Sequence, residues 1–109
     1  MKIERYGMVI RLKPDKEQEY RELHRAVWPE VMAVIRACHM QNYSIYLKDG
    51  YLFSYYEYTG DDHGADMRKM AADPATQRWW ALCEPCQEPV AARARGEWWA
   101  RMDEVFHME

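Results

Sequence analysis

Asn42-Tyr43-Ser44-Ile45-Tyr46-Leu47 and Tyr51-Leu52-Phe53-Ser54-Tyr55-Tyr56-Glu57-Tyr58-Thr59 are two runs of aromatic and apolar residues separated by Lys48-Asp49-Gly50. Asp-Gly between two such runs is a strong signal for a two-residue hairpin turn. The spacing therefore predicts antiparallel strands over Asn42–Leu47 and Tyr51–Thr59. Strand residues alternate faces, so Tyr43 and Ile45 point one way and Ser44 and Tyr46 the other.

Upstream, Glu4 to Leu12 also alternates, with Tyr6, Met8, Ile10 and Leu12 in one phase, and reads as a first strand. Lys13-Pro14-Asp15 ends it, and Asp15 is placed to cap the helix that follows. That helix carries Tyr20-Arg21-Glu22-Leu23-His24-Arg25-Ala26-Val27-Trp28. Helical spacing puts Tyr20, His24 and Trp28 on one stripe, with Leu23, Val27 and Val31 beside it. Pro29 interrupts the ladder, which predicts a kink or a break into two segments before the pattern ends near Cys38.

Downstream, Gly60-Asp61-Asp62 is a turn and Asp66 to Ala72 a short helix, with Met67 and Met70 as core filler. Asp73-Pro74 is a cap with proline at the first helical position. The next helix carries Trp79, Trp80 and Leu82 to about Cys83. Glu88 to Glu97 is a loop, and Arg101 to His107 is expected to be the last strand. The order is strand, helix, strand, strand, helix, strand. This predicts an α+β fold: a ferredoxin-like βαββαβ antiparallel sheet with helices on one face. The other face needs a cover, often a second copy, and a single domain spanning 1–109 fits the length.

Net charge is −3 and no basic patch is present, which argues against nucleic acid as a partner. No apolar run is long enough to span a membrane, and no signal peptide is evident, so a soluble, cytoplasmic protein is expected. Three cysteines, an odd count, fit a reducing compartment better than a disulfide framework. The chain is rich in amphipathic rings, with eight Tyr and five Trp. Such rings suit a pocket that grips a ligand by apolar and polar faces together.

His24 is the leading candidate for chemistry. A core histidine satisfied by its neighbours is the plain alternative. Tyr20 one turn away, and Tyr43 projecting from the adjacent strand, favour a proton-transfer role, because imidazole exchanges protons near neutral pH. Of the adjacent Trp79 and Trp80, one can pack in the core and the other form a platform on which a sugar stacks. Trp98-Trp99 reads as structural, and His63 and His107 as surface or structural. Cys83-Glu84-Pro85-Cys86 closes a helix rather than opening one, which counts against a redox pair. A zinc site would need Cys38-His39 to converge on it.

These motifs, in order, resemble the L-rhamnose mutarotase family. Its pattern has K-P-D after the first strand, Y-x-x-x-H-x-x-x-W-P-E, N-Y-S-I-Y, a paired W-W and a closing E-V-F-H. The matching residues are Lys13-Pro14-Asp15, Tyr20, His24, Trp28-Pro29-Glu30, Asn42 to Tyr46, Trp79-Trp80 and Glu104-Val105-Phe106-His107. The resemblance implies a homodimer in which each sheet forms half of an α/β barrel. It implies interconversion of the α and β anomers of a 6-deoxy-L-sugar, with no metal or organic cofactor. By motif, His24 corresponds to the proton donor, and Tyr20, Tyr43, Trp79 and Trp80 to substrate contacts. Two departures stand out. Members carry glycine after the first helix, where this chain has His39, and the segment from Cys83 to Trp99 differs. That segment is expected to bear on the sugar taken, with L-fucose the competitor to L-rhamnose. The rival readings are a cofactor-free oxygenase or haem-linked enzyme on the same barrel, and a non-catalytic sugar-binding module.

Overall fold

The computed structural model describes residues 2–109. Strand β1 (Glu4–Leu12) leads through a 3-10 turn at Pro14–Lys16 into helix α1 (Glu17–Arg25) and helix α2 (Pro29–Ala37). Strands β2 (Met40–Lys48) and β3 (Tyr51–Tyr58) follow, then helices α3 (His63–Ala72) and α4 (Pro74–Cys83). A 3-10 turn at Glu84–Cys86 precedes the short strands β4 (Gln87–Glu88) and β5 (Ala100–Met102). All strand pairs are antiparallel, in the order β2-β3-β1. The far edge of β1 is shared, with β4 on Arg11 and Leu12 and β5 on Gly7 to Val9. This is the expected α+β, ferredoxin-like arrangement.

The hairpin forms as the Asp-Gly signal requires. Asp49 (φ 53°) and Gly50 (φ 78°) both adopt left-handed backbone, which matches the twist of the flanking strands. The strand periodicity also holds. Tyr6, Ile10, Leu52, Tyr56 and Tyr58 are buried. Tyr6 pairs with Tyr56 and Ile10 with Leu52, so both strands turn the same phase to one face. Two clusters fill the space between that face and the helices. One gathers Ile10, Leu12, Tyr20, Val31, Leu52 and Trp79, and the other Tyr6, Cys38, Met40, Tyr56, Tyr58 and Met70.

Four details differ from the sequence reading. Pro29 gives the break into two segments, one of the two expected outcomes, but Trp28, expected on the stripe of Tyr20 and His24, leaves it, with extended backbone (φ −61°, ψ 132°) as the N-cap of α2. Proline at the first position of a new helix costs no hydrogen bond, whereas inside α1 it would remove one. Asp15 lies in the 3-10 turn started by Pro14 and does not cap α1, whose N-cap is Lys16. The third helix begins at His63 rather than Asp66, because the Asp62 carboxylate accepts the Ala65 amide (3.0 Å) and caps it there. The last strand stops at Met102 instead of running to His107, and Val105 and Phe106 are exposed. Of the tail beyond it, Glu104 is held by an ion pair to Arg5 (2.6 Å).

His39 occupies the left-handed position (φ 66°) where a glycine would sit without strain. Its Nδ1 meets the Asp66 carboxylate (3.0 Å), and its carbonyl accepts the Thr59 amide (2.9 Å). Asp66 also accepts from the Tyr58 hydroxyl, whose oxygen in turn accepts from the Asp62 amide (3.0 Å). These bonds tie the end of β3 to the start of α3 and leave no room at Gly60. A Cβ there would lie 2.7 Å from Tyr58 Cζ and 2.8 Å from Asp66 Oδ2. Gly60→Ala is therefore expected to destabilise the protein by about 1–3 kcal/mol, read as a lowered denaturation midpoint.

Candidate functional site

Tyr20 and His24 are four residues apart on α1 and so project from one face. Their rings stack, with centroids 4.1 Å apart and planes 26° apart. The Trp79 ring of α4 lies 5.3 Å from the His24 ring with the planes 64° apart, and 5.3 Å from Trp28 with the planes 67° apart. The break at Pro29 takes Trp28 off the helical stripe but keeps it in the aromatic group. A shallow cleft of about 320 Å³, lined by Glu19, Glu22, Leu23, Ala26, Trp28 and Trp79, adjoins this group. His24 does not line it, whereas Trp79 both lines it and contacts His24.

The orientation of His24 is set by its own helix. Nδ1 donates to the Tyr20 backbone carbonyl (2.8 Å). A carbonyl can only accept, so Nδ1 carries the hydrogen and the neutral ring keeps its lone pair on Nε2. Nε2 has no hydrogen-bond partner among the described residues. Burial pushes the His24 pKa below its ordinary 6.5, against the smaller opposing effect of the carbonyl bond. The ring is therefore neutral at neutral pH and presents a free basic nitrogen.

The other sequence candidates divide between this group and its neighbourhood. Tyr20 is buried, and its hydroxyl oxygen accepts from Gln87 Nε2 (3.1 Å). Burial raises its pKa strongly, so it stays protonated. Tyr43 and Ile45 point to the helix side of the sheet as expected. The Tyr43 ring is partly exposed and packs against Tyr56 (5.5 Å) rather than against His24. Burial around its hydroxyl pushes the Tyr43 pKa up to about 12. The Tyr43 phenol lies close enough to Tyr20 to add to the rise of its pKa, and Cys83 is near both rings. Trp79 is buried against His24, whereas Trp80 is half-buried and packs on both core clusters, bridging them.

Sequence reasoning did not find the polar partners. Gln87, 5 % exposed, joins the Tyr20 hydroxyl to the Trp98 indole, whose Nε1 donates to Gln87 Oε1 (2.8 Å). Trp98, read as structural, thus reaches the site through one amide. A second aromatic set surrounds His63. Its ring stacks on Tyr6 (4.3 Å), its Nε2 is hydrogen-bonded to the Tyr56 hydroxyl (2.8 Å), and Arg101 lies over Tyr6 (4.3 Å). Burial lowers the His63 pKa as well. Strand alternation places Tyr6 and Tyr56, but nothing local in the sequence links them to His63.

The three cysteines are buried and form no disulfide, and the Cys86 thiol donates to Glu19 Oε2 (3.6 Å). Burial pushes Cys83 up to about 12 and raises Cys86, which keeps both as inert thiols rather than nucleophiles. Cys38 sits in the other cluster, next to Tyr58 and Met70. Among the described residues no three His, Cys, Asp or Glu side chains converge as metal ligands. No helix among them is long and apolar enough to cross a membrane.

The fold is shared with solved structures of different activities. A crystal structure of an L-rhamnose mutarotase from Formosa agariphila superposes with a TM-score of 0.75 at 24% identity, over 97% of this chain and 99% of that one. The tetracenomycin F2 cyclase from Streptomyces glaucescens superposes with a TM-score of 0.70 at 12% identity, over 97% and 99%. Fold alone therefore does not choose between them. Sequence does. The L-rhamnose mutarotase of Oceanobacillus iheyensis is 30% identical over 115 residues, covering 98% of this chain and all of that protein. The family model described as L-rhamnose mutarotase matches residues 5–108. With that match spanning the hairpin, the His24 group and the tandem tryptophans alike, the chain belongs to the L-rhamnose mutarotase family of isomerases.

Proposed function

We propose that the protein is an aldose mutarotase acting on a 6-deoxy-L-sugar, L-rhamnose first and L-fucose as the competing substrate, with His24 as its acid/base. The observation that carries this reading is the His24 Nδ1 bond to the Tyr20 carbonyl (2.8 Å), which frees Nε2 as a base beside a buried phenol and an indole edge. Mutarotation needs little else. Ring opening breaks the C1–O5 bond, makes C1=O1 and moves one proton from O1 to O5. Neutral His24 takes the O1 proton at Nε2 and returns the same proton to O5. Rotation about C1–C2 presents the other carbonyl face, and the reverse steps close the ring as the other anomer. The proton-donor role implied by family resemblance is then the second half of this cycle.

In this reading Tyr20 and Tyr43 hydrogen-bond the sugar hydroxyls or ring oxygen. Trp79 supplies the flat wall for its C–H face and C6 methyl. Trp80 completes the wall from behind. The reaction as written couples one proton transfer to breaking and remaking the C1–O5 bond and uses only these side chains. The chain is also proposed to act as a homodimer. The sheet face away from the helices carries Tyr46 (66 % exposed), and Phe106 (80 % exposed) lies in the tail beyond it. A second copy would cover both and close two half-barrels.

Saturation-transfer proton NMR between the anomeric signals of L-rhamnose tests the activity. The native protein is expected to speed exchange, and His24→Ala to lose roughly 100- to 10,000-fold. Unchanged exchange with either sugar favours a module that binds without turnover. Because Nε2 must be unprotonated, the rate should fall on acidification with a midpoint below 6.5 and stay flat toward alkaline pH. Loss on the alkaline side instead would assign the titration to another group. Sedimentation should give twice the 13.1 kDa chain mass, and Tyr46→Glu should shift it to monomer; a native monomer would contradict the dimer.

A further inference from the structure

The polarity of one hydrogen-bond chain can be read without ambiguity. An indole N–H only donates, so Trp98 Nε1 (2.8 Å) fixes which end of the Gln87 amide faces it: the oxygen. The amide nitrogen must then face Tyr20, and as a donor it requires the phenol oxygen to accept (3.1 Å). The Tyr20 proton is thereby turned away from Gln87, and no acceptor for it exists among the described residues. Gln87 is buried at the centre of this relay, with buried Tyr20 at its inner end and Trp98, 40 % exposed, at its outer end.

We propose that Gln87 and Trp98 are positioning residues that force the Tyr20 hydroxyl to act as a hydrogen-bond donor to the substrate, beside the accepting Nε2 of His24. This rests on the mutarotase reading and assigns the two partners different polarities: His24 accepts at O1–H, and Tyr20 donates to the ring oxygen. As the C1–O5 bond breaks, negative charge grows on O5, and the Tyr20 O–H stabilises it until His24 returns the proton. Tyr20 itself loses no proton, so the balance of the step is unchanged. A donor aimed where charge develops acts mainly on the barrier and little on ground-state binding. Without the Trp98 N–H the Gln87 amide is free to turn over, and its oxygen would then take the Tyr20 proton inward.

The test is a double-mutant cycle on L-rhamnose anomer exchange. Trp98→Phe removes the N–H and keeps an aromatic ring at a partly exposed position. It should slow exchange about tenfold at saturating sugar, with KM nearly unchanged. On a Tyr20→Phe background, which has no hydroxyl to orient, Trp98→Phe should cost nothing further. Gln87→Leu, which removes the relay at its centre, should likewise slow exchange in the native background and cost nothing further on the Tyr20→Phe background. Native-like melting of Trp98→Phe with slowed exchange, and loss of the effect on Tyr20→Phe, is the expected pattern. A Trp98→Phe rate equal to native, or an equal penalty with and without the Tyr20 hydroxyl, overturns the proposal while leaving the mutarotase reading intact. A native protein that does not speed exchange at all overturns both.

Discussion

The bond from His24 Nδ1 to the carbonyl one turn back organises the site. A surface histidine is free to rotate and to choose its tautomer. Here the helix that carries the ring also supplies the acceptor that fixes it, at 2.8 Å. The stacking of Tyr20 on the same ring then follows from the four-residue repeat, because both side chains leave α1 on one face. Trp79 closes the remaining side from α4. A single helical turn thus sets tautomer, orientation and dielectric together, and only the wall comes from distant sequence.

The two histidines on the helix side show how context separates similar parts. Both pack against aromatic rings, His24 between Tyr20 and Trp79 and His63 among Tyr6, Tyr56 and Tyr58, and burial lowers the pKa of both. His63 has its Nε2 occupied by the Tyr56 hydroxyl and its face covered by Tyr6, which is in turn covered by Arg101. The Tyr56 bond ties α3 to the sheet, but a hydroxyl can donate or accept, so it leaves the tautomer of His63 open. The carbonyl bonded to His24 can only accept, so it fixes the hydrogen on Nδ1 and the lone pair on Nε2. A fixed tautomer, rather than the presence of an imidazole among rings, distinguishes the reactive candidate.

The hairpin, the alternation of β1 and β3, the break at Pro29 and the Asp73-Pro74 cap could be read from sequence because each is a local steric event. Proline, glycine and strand alternation act within a few residues. The role of Trp28 could not be placed in the same way, because the helix break moved its backbone off the stripe while packing kept its ring in the group. The Gln87–Trp98 relay had no periodic signal at all. It joins a two-residue strand to an aperiodic loop, and its partner Tyr20 lies 67 positions away from Gln87. Membership of the family could be read from the ordered motifs, whereas the polarity of each hydrogen bond required coordinates.

Helix α1 spans nine residues, and among them only Tyr20 is fully buried. A helix of that length draws little from intrinsic propensity, so it persists through what it packs against. The proposed acid/base residue, His24, therefore rides on a lightly anchored segment whose amides should open more readily than those of the central strands. A sugar bridging this turn to the sheet would add a second anchor. Occupancy and helical order would then be one thermodynamic quantity, with each increment of affinity appearing as slower hydrogen exchange along residues 17 to 25.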